Sequence, residues 1–204
     1  MQSVTTAAGE QDELGDDAPS GDGEGEVIAC LEGGEWRQAL TLCARYYGAH
    51  LGRLCMAILG DQAEAEDVVQ ETLLTAHAGF ASWRREGSVR AWLLGIARNK
   101  ALKVVERRQR RAKLRLIEGG ETSVRGSTPG AEEWLVLKQK AELARSALEQ
   151  IRPTEREALL LRYVAELEFD GVASLCGISE VTARKRISRG IAHLREVLRD
   201  AEEP

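Results

Sequence analysis

Hydrophobic residues recur at every third or fourth position along much of the chain, which is the spacing of amphipathic helices. The longest such pattern predicts a helix from Glu35 to Leu59. Its apolar stripe consists of Leu40, Cys43, Tyr47, Leu51, Leu54 and Ile58. Packing into a core accounts for this stripe, and no cofactor is needed. Gly60 ends the helix, and Asp61 with Glu64 three positions later predicts a capping box for the next one.

A second long helix is predicted from Ser88, which caps it, to Leu116. Its first half has one apolar face, formed by Val89, Trp92, Leu93, Ile96 and Ala97. Its second half is cationic and contains four bases on one face, at spacings that make a stripe: Lys100, Lys103, Arg107 and Arg111. A solvated charged face is the ordinary interpretation of such a run. The scarcity of acids and the upstream aromatics Phe80 and Trp83 favour a nucleic-acid contact instead.

The helix between these two is predicted to have an unusually acidic outer face. It buries Val68, Val69, Leu73 and Ala76 at most, and its outer face carries Glu64, Glu66, Asp67, Gln70 and Glu71. Taken alone, such a face is more often solvated surface than an interface. The following residues 80–87 are predicted to form a loop.

The carboxy-terminal third predicts a helix-turn-helix. A capping-box sequence that begins at Thr154, after Pro153, predicts the start of the preceding helix. In the helix-turn-helix itself, residues 169–175 predict a short helix, Gly177 predicts a tight turn, and Ser179 is predicted to cap the last helix. The last helix buries Ala183, Ile187, Ile191 and Leu194. Its outer face is rich in Arg, Lys, Ser and Thr, which read base edges and phosphates. DNA binding is therefore favoured over an ordinary αα-hairpin.

These patterns predict an all-α protein with two small helical domains. Residues 1–26 are predicted to be an acidic disordered arm, because they hold almost nothing to bury. The first domain is expected over 27–116 and the second over 131–200. The Gly-, Ser- and Thr-rich residues 117–130 between them are predicted to be a flexible linker, with a new helix starting at Thr128.

The net charge of −5 conceals two regions of opposite sign. The first 35 residues hold ten acids and no Lys or Arg, so the remaining 23 acids are outnumbered by 28 bases. The sequence has no apolar run of membrane-spanning length and no signal-peptide pattern, which predicts a cytoplasmic protein.

Catalytic and metal-binding patterns are absent from the sequence. The three histidines are scattered, and no nucleophile–base pair or phosphate-binding loop appears, so neither an enzyme nor a small-molecule substrate is expected. The cysteines lack CxxC spacing and are interpreted as small buried hydrophobes: Cys30, Cys43, Cys55 and Cys176. A grouping of Cys43, His50 and Cys55 is the weaker alternative. No metal and no cofactor are expected.

The motifs together resemble a known family. AEDVVQE, then WLLGIARN with a basic tail, then a linker and a helix-turn-helix ending in ISRGIAHLRE, resembles the bacterial RNA polymerase sigma factors of the sigma-70 family. The closest resemblance is to the extracytoplasmic-function (ECF) group, which keeps only regions two and four. It implies a subunit that binds core RNA polymerase, recognises and melts promoter DNA, initiates transcription, and is held by an anti-sigma factor.

The resemblance also implies roles for individual residues. Docking on the polymerase clamp is implied for Asp67, Gln70 and Glu71. Contact with the minus-ten element, including capture of a flipped base by the loop 83–88, is implied for Trp83, Arg84, Arg85, Ser88, Arg98, Asn99, Lys100, Lys103 and Arg107. Reading of the minus-thirty-five element is implied for Ser179, Thr182, Arg184, Lys185, Arg186, Ser188 and Arg189. Trp92 matches a core position of the family.

Two other functions are compatible with parts of the sequence. A stand-alone helix-turn-helix regulator would bind palindromic DNA as a dimer without polymerase. That function does not account for the acidic helix or for the loop 80–87. A pure interaction module that binds polymerase but not DNA is the other alternative, and the basic stripe argues against it.

Overall fold

The structure, a computed structural model, describes residues 23–84, 87–117 and 142–202, and within these ranges it is built from helices and short turns. The helices are α1 (Glu24–Glu32), α2 (Trp36–Leu59), α3 (Gln62–Gly79), α4 (Val89–Ile117), α5 (142–150), α6 (Pro153–Leu159), α7 (Phe169–Cys176) and α8 (Glu180–Glu202). A 3-10 turn, Phe80–Ser82, follows α3, and a π-helical turn, Leu160–Val164, continues α6. The all-α prediction is confirmed. The predicted helix start at Thr128 and most of the linker lie outside the described residues.

Helices α1 to α4 form an amino-terminal bundle around α2. The predicted stripe of α2 is confirmed at Cys43, Leu51 and Leu54, which are fully buried. Helix α4 contributes its first half to the same core, through Val89, Leu93, Leu94, Ala97 and Ala101. Trp92 and Ile96, expected on that face, are only partly buried. No described helix combines the length and apolar character needed to span a membrane.

The helix caps agree with the sequence in part. Asp61 Oδ1 accepts a hydrogen bond from Glu64 N at 3.0 Å, as predicted. The reciprocal half of the capping box is absent, because the Glu64 carboxylate pairs with Arg108 of α4 instead. The capping box expected at Thr154 is wrong. Pro153 occupies the first helical position, so α6 begins before Thr154 and has Arg152 as its N-cap residue.

Helices α7 and α8 form the predicted helix-turn-helix. Gly177 adopts φ +64°, which the tight turn requires, and Ser179 Oγ accepts a hydrogen bond from Thr182 N at 3.3 Å. A Cβ at Gly190 of α8 would lie 2.9 Å from Leu159 Cδ1, so glycine allows the close approach of α6 to α8. The buried Glu155 of α6 contacts His193 Nδ1 of α8 at 2.7 Å.

The carboxy-terminal group, α5 to α8, packs directly on the amino-terminal bundle. Leu161 of the π-helical turn is buried in a hydrophobic core that also contains residues of α2 and α4. Leu175 of α7 approaches Gly95 of α4 so closely that a Cβ there would lie 2.9 Å from its Cδ2 atom. The two groups that the sequence separates by a linker therefore share one core in this structure.

Helix α1 begins at Glu24, within the range 1–26 that was expected to be a disordered arm. Residues 24–26, assigned to the disordered arm, form its first turn, and Glu24 and Glu26 accept hydrogen bonds from tyrosines of α2. The interpretation of these residues as disordered is wrong, because their carboxylates have tertiary partners that composition does not reveal. Residues 1–22 of the arm lie outside the described part of the chain.

Candidate polymerase and promoter interfaces

The outer side of α3 presents an acidic face formed by Asp67, Gln70 and Glu71. All three side chains are exposed, while Ala65, Val68, Thr72 and Ala76 face the core. The two sets lie on opposite sides because helical residues three or four apart share a face. Thr72 remains compatible with burial because its hydroxyl donates to Val68 O at 2.7 Å. The structure therefore brings together the three residues expected to contact polymerase.

Leu74 extends the acidic face with a large apolar side chain. It lies one helical turn after Gln70, and 67% of its surface is exposed. Leu74 is not among the polymerase contacts expected from the sequence. Its position in the helical repeat could have identified it. Leu74 falls on the same face as Asp67 and Glu71, away from the buried positions of α3.

The basic stripe of α4 is carried by an unbroken helix, as predicted. Lys103, Arg107 and Arg111 are exposed along it. Lys100, the first member of the stripe, is only partly exposed, and its Nζ lies 3.2 Å from Glu71 Oε2. The basic stripe and the acidic face thus meet at one ion pair between neighbouring helices.

Arg98 lies on the opposite side of α4 from the basic stripe. Its Nε donates to Glu157 Oε1 of α6 at 2.6 Å, and the Arg98 and Glu157 side chains are 19% and 22% exposed. Its Nη1 also donates to Asn99 Oδ1 at 2.9 Å. Of the residues expected at the minus-ten element, Arg98 is therefore directed toward the carboxy-terminal group and away from the surface of the stripe.

The segment before α4 combines packed aromatic rings with exposed polar side chains. The ring centroid of Trp92 lies 5.9 Å from Phe80 and 6.0 Å from Trp83, so the prediction that Trp92 serves packing is confirmed. Arg84 and Ser88 are exposed, and Ser88 Oγ accepts a hydrogen bond from Ala91 N at 3.0 Å. Arg85, expected in the same segment, lies outside the described residues.

Some of the residues of α8 that are expected to contact DNA are exposed, and others are bonded to neighbouring side chains of the protein. Lys185, Ser188 and Arg189 are exposed, whereas Thr182 and Arg186 are half-buried. Ser179 is used as the helix cap, and its Oγ lies 2.8 Å from Thr182 Oγ1. Arg184 hydrogen-bonds Glu180, and its guanidinium carbon lies 4.0 Å from the ring centroid of Phe169. Arg184 is therefore held in place by contacts within the protein.

A second polar contact between the two helical groups centres on Glu166, which has a positive φ of 55°. Its carboxylate lies 3.5 Å from His50 Nε2, 3.6 Å from Arg53 Nη2 and 3.5 Å from Arg90 Nη2. Arg90 Nη2 also donates to Ala165 O at 2.7 Å. The turn after α6 is thereby attached to α2 and α4.

The folded structure is expected to lose stability at acidic pH through His50. Burial, followed by the charges of Arg90 and Arg53, lowers the His50 pKa below its ordinary 6.5, although Glu166 opposes the shift. The folded protein binds a proton at His50 less readily than the unfolded chain does. The stability of the fold is therefore fully present above about pH 6.5 and decreases as the pH falls below it. Thermal unfolding measured from pH 7.5 to 5.5 should therefore show a larger loss for wild type than for His50→Gln. Equal losses would contradict this role.

The cysteines are structural in the described part of the chain. Cys30, Cys43 and Cys55 are buried, as expected, and Cys176 is partly exposed. Burial raises the pKa of Cys43 to about 12 and that of Cys55 to about 11, so both thiols are protonated at neutral pH. Among the described residues, no group of three or more His, Cys, Asp or Glu side chains is arranged to hold a metal ion.

Comparison with known families identifies the class of protein. The family model for Sigma-70 region 2 matches residues 43–111, which include the acidic face and the basic stripe. The model for Sigma-70, region 4 matches residues 141–194, which include the helix-turn-helix. The two matches stand in the order that the motifs predict, and they define a sigma-70 protein.

Individual relatives assign the chain to one group of the sigma-70 family. The ECF RNA polymerase sigma factor EcfG of Rhodopseudomonas palustris is 30% identical over 148 residues, which cover 72% of this chain and 78% of that protein. SigL of Mycobacterium tuberculosis is 28% identical over 182 residues, covering 85% of this chain and 97% of its own length. SigE of Mycolicibacterium smegmatis is 27% identical over 154 residues, 76% of this chain and 59% of the relative. The chain belongs to the ECF RNA polymerase sigma factors.

Solved structures support the fold. CnrH, in complex with the cytosolic domain of CnrY, matches with a TM-score of 0.67 at 18% identity, over 90% of this chain and all of that one. The sigma factor RpoE of Bartonella quintana, in complex with the anti-sigma factor NepR, matches with a TM-score of 0.57 at 24% identity, over 87% and 97% of the two chains. Membership of the family makes this protein a promoter-specificity factor for RNA polymerase, and a stand-alone dimeric regulator is not favoured.

Proposed function

We propose that the acidic face of α3 docks on core RNA polymerase and that α4 and α8 contact the minus-ten and minus-thirty-five elements. The observation that carries this proposal is the adjacency of the acidic face and the basic stripe, joined by the Glu71–Lys100 pair. Because the two surfaces lie on neighbouring helices, polymerase bound to α3 would lie beside DNA bound to α4. Opposite charges on the two surfaces suit a cationic protein partner and a polyanion, respectively.

Leu74 belongs to the polymerase contact in this proposal. An exposed apolar side chain within a charged face can be desolvated against a partner and contributes binding energy that rim charges do not. Lys103 and Arg107 carry the phosphate contacts of α4, and Arg111 extends them. The exposed Lys185, Ser188 and Arg189 of α8 provide the contacts to the minus-thirty-five element.

The packing of the two helical groups must open when both promoter elements are bound. The elements are about 25 base pairs apart, or about 85 Å along B-form DNA. In the structure, Leu175 of α7 touches α4 and Glu157 of α6 holds Arg98. A compact chain of about 200 residues has a radius of gyration of only about 17 Å, so we propose that the closed molecule does not reach both elements at once. Polymerase binding therefore has to separate Glu157 from Arg98 and Glu166 from His50, Arg53 and Arg90.

An anti-sigma factor is proposed as a further partner. The CnrH and RpoE chains that share this fold are both described as complexes, the second with an anti-sigma factor. The proposal includes no catalytic activity of the chain alone and a cytoplasmic location, where polymerase and promoter DNA are found. The class of protein supports both statements.

Transcription reconstituted from core polymerase and this chain tests the proposal, with promoters selected from a random DNA library. Lys185→Ala is expected to weaken holoenzyme binding to the selected duplex promoter by about tenfold, because one contact of the recognition helix is lost. Core binding, measured by fluorescence anisotropy, should not change.

Arg195→Ala, on the exposed distal part of α8, is the matched control and should retain promoter affinity. Equal affinity of wild type and Lys185→Ala would contradict the assignment of α8. Tight binding of a palindromic site by the free chain, without any association with core polymerase, would instead favour the stand-alone regulator.

A further inference from the structure

The amino-terminal end of α1 is joined to the amino-terminal end of α4 by a single carboxylate. Glu24 Oε1 accepts a hydrogen bond from the backbone N of Val89 at 2.5 Å. Its other oxygen, Oε2, accepts one from the hydroxyl of Tyr47 at 2.9 Å. Glu24 therefore connects the first turn of α4 to both α1 and α2, although 65 residues separate it from Val89.

The position of α1 is determined by the residues on either side of Glu24. Gly23 has φ +59°, and a Cβ at this position would overlap the ring of Tyr46, so only glycine is accommodated without rearrangement. Glu26 Oε2 accepts a hydrogen bond from the hydroxyl of the same Tyr46 at 2.8 Å. Two consecutive tyrosines of α2 thus bind two glutamates of α1 and set the register in which Glu24 reaches α4.

The Val89 amide has no ready substitute for this partner. The first N–H groups of a helix have no acceptor within the helix. Ser88 Oγ accepts from Ala91 N and leaves the Val89 amide to another group. Val89 is completely buried, so water cannot readily replace the Glu24 carboxylate. A negative charge at this helix end also interacts favourably with the helix dipole.

We propose that Glu24 is a positioning residue for promoter melting. It acts through the Val89 backbone, which fixes the start of α4 and the adjacent Ser88, one of the residues to which the sigma-factor resemblance assigns contact with the minus-ten element. The inference rests on the proposed function. Capture of an unstacked base requires a preformed pocket, because a loose one would add an ordering cost to the cost of unstacking.

The test measures how strongly holoenzyme binds a single-stranded, fluorescently labelled oligonucleotide. The oligonucleotide carries the non-template minus-ten strand of a promoter selected with the wild-type holoenzyme. Glu24→Ala should weaken this binding by about fivefold, because the start of α4 would then have to be ordered on binding, at a cost similar to the stability that a helix cap contributes. Glu24→Gln should restore most of it, because its amide oxygen can accept from the Val89 amide and its NH₂ can donate to the Tyr47 hydroxyl.

Glu26→Ala is the matched control. It removes a glutamate–tyrosine hydrogen bond between the same two helices but has no bond to α4. Its oligonucleotide affinity should equal that of wild type. Core binding and duplex minus-thirty-five binding should be unchanged in all variants, and hydrogen exchange at the Val89 amide should accelerate in Glu24→Ala alone.

Two outcomes separate this inference from the proposed function. If wild-type holoenzyme binds the oligonucleotide and Glu24→Ala binds it equally well, the positioning role of Glu24 is overturned. If Glu24→Ala and Glu26→Ala weaken binding equally, the role is general stability of α1, which also overturns it. If wild-type holoenzyme does not bind the oligonucleotide at all, the minus-ten assignment itself fails.

Discussion

Reversing the charge of Asp67 and Glu71 together, as Asp67→Lys and Glu71→Lys, should weaken core polymerase binding by about 100-fold, because like charges across an interface cost several kcal/mol. Both residues lie exposed on the acidic face of α3, on the opposite side from the buried Val68 and Thr72. The fold should therefore survive the change. Anisotropy of a labelled chain titrated with core polymerase measures the effect directly.

Two controls separate docking from other consequences of the reversal. Glu71→Lys places a second ammonium beside Lys100, so Asp67→Lys alone shows the effect without disturbing that pair. Glu196→Lys with Asp200→Lys makes the same change in charge at the same four-residue spacing on exposed positions of α8. Normal core binding by the Asp67 and Glu71 variants, or equal weakening by the α8 pair, would exclude α3 as the docking surface.

Reversing two bases of the stripe, as Lys103→Glu and Arg107→Glu, should reduce promoter binding by holoenzyme about 100-fold at 0.1 M salt, through two lost phosphate contacts and the added repulsion. Both side chains are exposed on the unbroken α4, so the folded structure should be retained. The slope of log K plotted against log salt concentration should also become less negative by about two, which identifies the lost contacts as ionic.

Lys113→Glu is the matched control for this pair, because Lys113 is exposed on α4 but lies outside the stripe. Its salt dependence should be close to that of wild type. A second comparison uses Arg98→Ala, which removes a base whose partner is Glu157. If Arg98→Ala changed the salt dependence as much as Lys103→Glu with Arg107→Glu, DNA would contact α4 on more than the stripe.

These experiments depend on residues that the sequence placed correctly. The i, i+3 and i+7 spacing of Lys100, Lys103 and Arg107 is enough to put them on one face of any unbroken helix. The same local geometry predicted the acidic face of α3, the Ser88 and Ser179 caps and the glycine of the helix-turn-helix. It did not predict that Lys100 would pair with Glu71 or that Arg98 would turn toward α6.

The sequence by itself determined the helices of this protein, the polar face of each and the class to which it belongs, because these follow from interactions between residues a few positions apart and from motifs within single helices. Only the tertiary structure decided which charged side chains stay exposed. Glu24 meets Val89, Glu157 meets Arg98 and Glu166 meets His50 across long stretches of chain. Such pairs depend on how helices cross and how closely they approach, which is set by the packing of the shared core and not by the spacing of residues along any one helix.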